Sequence, residues 1–150
     1  MILHVICYLR EDRTRHLRLS SAVRSPAGAS MALLDAALSG RFEILISTAL
    51  VLEYEAVLTR AEHLRVSELT HAEVNGLLDA ICRMATQVTI QWQWRPQLHD
   101  PDDEMVLEIA INGYADAIVT FSRADFIRAA KEFNLKVLSP REAIERVKVQ

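Results

Sequence analysis

Apolar and polar positions alternate in two different rhythms along this chain, and the rhythms themselves alternate. Ile2 to Leu9 is a short unbroken apolar run, as expected of a buried strand. Arg10 to Gly28 has no clean period and closes on Ser25-Pro-Ala-Gly28, a turn signal. Met31, Leu34 and Leu38 then fall on one helical face, and Gly40 stops that helix. Phe42 to Ile46 reads as a strand. Ser47 or Thr48 caps a helix expected to run to about Glu62.

Thr70-His-Ala-Glu73 has the form of a capping box and opens a helix through about Ala85. Val88, Ile90, Trp92 and Trp94 alternate with polar neighbours, which predicts an edge or half-exposed strand over 87–94, its tryptophans more often in the core or at a dimer contact than stacked on RNA bases. Asp100 turns the chain before Pro101, a helix follows to Gly113, and Ala117 to Thr120 is a strand. Arg123 to Phe133 is helical, Lys136 to Leu138 is a last strand, and Ser139-Pro-Arg-Glu142 repeats the capping-box logic. Strands alternating with helices predict an α/β chain with a parallel sheet covered on both faces.

A chain of 150 residues, 51% hydrophobic, has material for one domain with a real core. A net charge of −3 excludes a strongly basic nucleic-acid surface, so any such partner needs a local grip. Five basic residues lie between Arg10 and Arg18, read as a solvated loop. Cys7 and Cys82 share no metal or disulfide spacing and read as free buried thiols in a reducing cytoplasm. Met1 to Leu9 is too short to span a membrane and lacks the flanks of a signal peptide.

The chemistry concentrates in acids. Asp100-Pro-Asp-Asp-Glu104 puts four carboxylates into five residues at the mouth of an apolar helix. Glu53 sits in a second apolar segment, and Asp116 and Asp125 flank the strand ending at Thr120. Ligands of open α/β sheets gather at the carboxyl ends of strands and the helix starts that follow. Carboxylates from three such places suggest a hard-cation site for Mg²⁺ or Mn²⁺, with phosphodiester cleavage as its usual chemistry. The same acids also suit helix starts and turns, where they complement the macrodipole. No Ser-His-Asp arrangement, phosphate-cradling Gly loop or nucleotide fingerprint is present.

Taken in order, Arg24-Ser-Pro-Ala-Gly-Ala-Ser30, Ser47-Thr-Ala-Leu-Val-Leu-Glu-Tyr-Glu-Ala-Val-Leu58, Asp100 to Ala110, Ala115-Asp-Ala-Ile-Val-Thr120, Asp125-Phe126 and Val137-Leu-Ser-Pro-Arg-Glu142 resemble the PIN-domain nucleases. The likeness is greatest to the toxins of toxin–antitoxin systems, the VapC-like ribonucleases, and covers residues 23 to the C-terminus. It implies a three-layer α/β/α domain with a mainly parallel sheet. It also implies RNA cleavage by carboxylate-bound Mg²⁺ or Mn²⁺, a cognate antitoxin, a homodimer and a cytoplasmic location. By position it places the catalytic acids at Glu53 and at Asp103 or Glu104; where the family has a further Asp or Asn this chain has Ser122, so Asp125 is the nearest carboxylate left for catalysis. The metal goes to Glu53, Asp102, Asp103, Glu104 and Asp116, and substrate contact to Ser122 and Thr120.

The amino end departs from the family. Its first strand ends in Asp-Thr-Asn, whose Asp is the central metal ligand. Here the corresponding stretch, near Arg15, reads Arg15-His-Leu-Arg-Leu-Ser-Ser21. Met1 to Leu9 would then be a displaced first strand, with Asp12 a substitute ligand. Alternatively, codons for Arg13 to Ser20 shifted by one base can read Gly-His-Asp-Thr-Phe-Val-Leu-Ala. That makes residues 1–22 of a single 1–150 domain a candidate frameshift, decayed gene or wrong start, which sequencing the locus tests. The rival reading of function is a degenerate PIN domain that binds RNA or an antitoxin without turnover.

Overall fold

The structure, a computed structural model, describes residues 5–8 and 26–149. Arg15, Asp12 and the Arg10–Arg18 run lie outside the described residues. The described elements are β1 (Val5–Tyr8), α1 (Pro26–Leu38), β2 (Glu43–Ile46), α2 (Thr48–Leu58), α3 (Ala61–Ser67) and α4 (His71–Met84). They continue with β3 (Thr86–Gln87), α5 (Pro101–Asn112), β4 (Ala117–Val119), α6 (Arg123–Glu132), β5 (Lys136–Leu138) and α7 (Pro140–Val149). The strands form one sheet in the order β3-β2-β1-β4-β5.

The sheet is mixed rather than parallel throughout. β2 pairs with β3, and β4 with β5, in parallel, but β1 is antiparallel to both its neighbours. Four strands therefore share one direction and the central strand opposes them. Val5 stands beside Val119 at the carboxyl end of β4, whereas Tyr8 stands beside Glu43 at the amino end of β2. The chain leaves β1 at the end of the sheet where β2 begins.

Alternation along β4 explains why helices cover both faces. Ile118 enters one core with Leu107, Ile109, Phe126 and Leu50, whereas Ala117 and Val119 enter another with Leu33, Ala36, Leu138 and Ile144. The first core is roofed by α2, α5 and α6, the second by α1 and α7. Phe126, with no exposed surface, contributes roughly 2–3 kcal/mol of burial to the first.

Local signals fix several ends. Ser47 Oγ accepts Leu50 N–H at 3.2 Å and caps α2, and the capping boxes at Thr70/Glu73 and Ser139/Glu142 both form. Gly113 closes α5, and only glycine fits there: a Cβ would stand 2.7 Å from Leu45 Cδ1 and 2.9 Å from Ile109 O.

Other expectations need correction. Pro26 starts α1 instead of belonging to a turn, since proline at the first helical position gives up only an unused N–H. The helix expected to reach Glu62 stops at Leu58, because Arg60 turns extended (φ −62°, ψ 137°) and opens α3. Cys82 is exposed on α4. The expected edge strand is only Thr86–Gln87, and the chain beyond it follows α5, not the sheet. Among the described residues, no helix is long and apolar enough to cross a membrane.

Candidate active site

The acids gather where α5 and α6 begin, because β4 delivers the chain to α6 at its carboxyl end and Asp100-Pro101 starts α5 nearby. Asp100 caps α5, its Oδ1 accepting Asp102 N–H at 3.0 Å. Pro101 at the first helical position then sets the backbone so that Asp102, Asp103 and Glu104 occupy the first turn. Asp103 is 8% exposed. Burial, then the negative charges of Asp100, Asp125 and Asp102, push its carboxyl up to about 6. The structure thus brings Asp103, Asp125, Asp102 and Asp100 into one electrostatic cluster. The N-terminal dipole of α5 offsets only part of that charge.

Thr120 and Ser122 shape the turn between β4 and α6. Thr120 is fully buried, and its Oγ1 accepts Ser122 N–H at 2.9 Å. That burial makes Thr120 a turn-former rather than the substrate contact expected. Ser122 occupies the cap position of α6, but its hydroxyl makes no cap bond and remains for a water or phosphate. Glu53 is half-buried in the second turn of α2, which starts at the corresponding end of β2.

Two expected ligands go elsewhere. Asp116 precedes β4, at the opposite end of the strand from Thr120, so it cannot join Asp103 around one ion. It lines instead a separate shallow cavity of about 460 Å³ with Tyr114, Phe133 and Lys136. Glu104, 3% exposed, uses Oε1 to accept Gln97 N–H at 2.6 Å and Leu98 N–H at 2.9 Å. It anchors backbone that would otherwise lack partners.

Glu104 belongs to a stripe that sequence reasoning missed. At four-residue spacing on α5 follow Glu108 and Asn112. Glu108 holds Arg95 through two bonds, Nε–Oε1 at 2.6 Å and Nη2–Oε2 at 2.9 Å. Asn112 Oδ1 accepts Gln91 and Trp92 N–H, each at 3.0 Å, and its Nδ2 donates to Trp92 O at 3.0 Å. Residues 91–98 are thereby strapped along α5 without belonging to a helix or strand. The available signal was three polar side chains repeating every fourth residue in a helix otherwise apolar.

Does the cluster suit a divalent ion? Its donors are all oxygens, and Asp103's raised pKa marks negative charge that a cation would offset. The count falls short: among the described residues, no three His, Cys, Asp or Glu side chains stand close enough to hold one metal ion. The reversed β1 adds none, since Val5 is its described residue at that end.

The family model of the PIN domain matches residues 19–124, so the matched region excludes β1. No curated protein and no solved structure matches the chain.

Proposed function

Because this chain belongs to the PIN-domain family, whose members are generally nucleases, we propose that it descends from metal-dependent endoribonucleases and acts as the toxin of a toxin–antitoxin pair. The reading takes residues 1–150 as one domain and its two cores as the interlayer cores of a three-layer α/β/α order. The observation that carries it is the cluster of Asp103 with Asp125, Asp102 and Asp100 at the ends of β4 and α5, where such a fold holds its chemistry.

Asp103 and Asp125, with Asp102 and with Glu53 from α2, are the acids that Mg²⁺ or Mn²⁺ would have to draw on, although no three such side chains among the described residues stand close enough together to hold one ion. A bound ion of this kind supplies hydroxide at neutral pH and stabilises the leaving oxygen. The chain's own part is to set Asp103 where ionisation is unfavourable unless a cation offsets it, and to orient the phosphate. The Ser122 hydroxyl and the first-turn N–H groups of α6 are donors for that. An antitoxin would cover this end of the sheet, and a homodimer and a cytoplasmic setting belong to the same reading.

One observation favours the rival, a binding module without turnover. The sheet's central strand is antiparallel, and no acid reaches the cluster from it among the described residues. Mg²⁺ demands near-ideal octahedral geometry, and loss of one carboxylate weakens charge and geometry together.

The deciding experiment is Mn²⁺-dependent cleavage of a mixed RNA pool by this chain, beside its Asp103→Asn and Glu53→Ala variants and a version with an Asp-Thr first strand restored. Cleavage by the chain, lost in both variants, supports the nuclease. Cleavage confined to the restored version leaves the binding module.

A further inference from the structure

The strap along α5 has a use that its anchoring alone does not explain. It displays the chain's only two tryptophans. Trp92 is 65% exposed and Trp94 39%. Their ring centroids are 6.5 Å apart, and Trp94 stands 5.7 Å from Phe133 at the end of α6. Large apolar rings left in water are ordinarily folded inward or carried on a mobile loop. Here Asn112 fixes the backbone at Gln91 and Trp92, and Glu108 holds the Arg95 side chain just beyond Trp94, so both rings stand outward between two anchored points.

We infer that Trp92 and Trp94 form a base-stacking platform for single-stranded RNA, placed along α5 from the acid cluster. The inference rests on the ribonuclease reading and names the residues that would grip its substrate. Position favours RNA over a protein partner. The strap runs antiparallel to α5, from Trp92 beside Asn112 to Leu98 beside Glu104, and ends at Asp100 in the cluster. Nine residues separate Asp103 from Asn112, roughly 14 Å along the helix. At a rise of about 3.4 Å per stacked nucleotide, that span is roughly four nucleotides. A strand whose phosphate lies at Asp103 and whose chain follows the strap therefore passes its bases over the indoles. Lys131 and Lys136, exposed and on either side of Phe133 in sequence, supply cations beside the rings in a chain of net charge −3.

Stacking of this kind tolerates any sequence, because every base has a flat face. It also predicts a shallow dependence on salt, since few phosphates would be neutralised.

Both tryptophans lie in the platform, so indole emission, excited to the red of tyrosine absorption, reports on it alone. The full chain, in EDTA to prevent cleavage, would be titrated with a mixed-sequence single-stranded RNA of about 12 nucleotides, a length within the range of single-strand sites. The expected result is quenching of the emission, with affinity falling about 10- to 100-fold in Trp92→Ala. Trp92→Ala should keep the parent's urea midpoint, because the ring is exposed. Trp94→Ala is the second variant, and labelled-RNA anisotropy follows the double variant, which has no indole emission.

Absence of quenching, or equal RNA affinity in the double variant, overturns the platform. So does an emission change that tracks protein concentration without RNA, which would mean contact between copies of the chain. Failure here is separable from failure of the nuclease reading. Mn²⁺-dependent cleavage without quenching leaves the nuclease and removes the platform. Quenching without cleavage leaves the platform on a binding module.

Discussion

Asp103 and Glu108 sit five residues apart on one helix, both more than nine-tenths buried, in opposite electrostatic surroundings. Glu108 faces Arg95, whose two bonds neutralise it and raise the pKa of the guanidinium. Asp103 faces Asp100, Asp125 and Asp102, which add to its charge. The first acid fastens the strap to the fold. The second carries a cost that folding does not recover, and such a cost is what a binding or catalytic centre imposes. A buried carboxylate is therefore informative only when its neighbours are known.

The largest expected effect breaks the compensated side. Arg95→Ala leaves Glu108 buried without its cation; because the guanidinium itself is 43% exposed, stability should fall by about 2–3 kcal/mol, read from urea midpoints. The tryptophan emission should shift to the red as residues 91–98 loosen.

The next effect has the opposite sign. At the ordinary value of 3.8, the Asp103 carboxyl would be ionised by pH 5; folded, it holds its proton up to about pH 6. Below pH 4 the folded and unfolded chains are alike. Between pH 4 and 6 the unfolded chain has released this proton while the folded chain still holds it, so stability falls by an amount on the order of 2 kcal/mol and levels off once the folded carboxyl ionises above 6. Asp103→Asn should raise the melting temperature of the metal-free protein at pH 7.5 and leave it unchanged at pH 4. A variant less stable than the parent at pH 7.5 would show that the cluster is already neutralised.

A cation sharpens the same contrast. Mn²⁺ at a hundredfold excess over its Kd should stabilise the parent by about 2.7 kcal/mol at pH 7.5, and Asp103→Asn by much less. Identical melts with and without Mn²⁺ in the parent would point to the binding module. Away from both acids, Ser47→Ala removes the α2 cap and should cost about 1 kcal/mol. Trp92→Ala should move stability by less than about 0.5 kcal/mol, as befits an exposed ring.

Much of this was legible in the sequence. Apolar periods gave most helices and strands, and Ser47, Thr70 and Ser139 marked helix starts through hydrogen bonds reaching only three residues. The acid run from Asp100 marked the chemistry. Trp92 and Trp94 misled, because alternation along residues 87–94 is also what a strap shows when one edge rests on a helix. Asp116 misled because an acid one residue before a strand and a threonine one residue after it are close in sequence but at opposite ends of the sheet.

The amino-acid sequence by itself determined the local order of elements, their caps and the family, because each depends on neighbours within a turn or on a linear pattern. The tertiary structure alone decided that β1 runs against its neighbours, that Glu104 and Glu108 serve the strap, and that Asp103 collects the charge of Asp125 from a different helix. Those outcomes depend on residues brought together across the sheet. The free energy of a buried charge is set by whichever groups arrive within a few ångströms of it, not by its place in the chain.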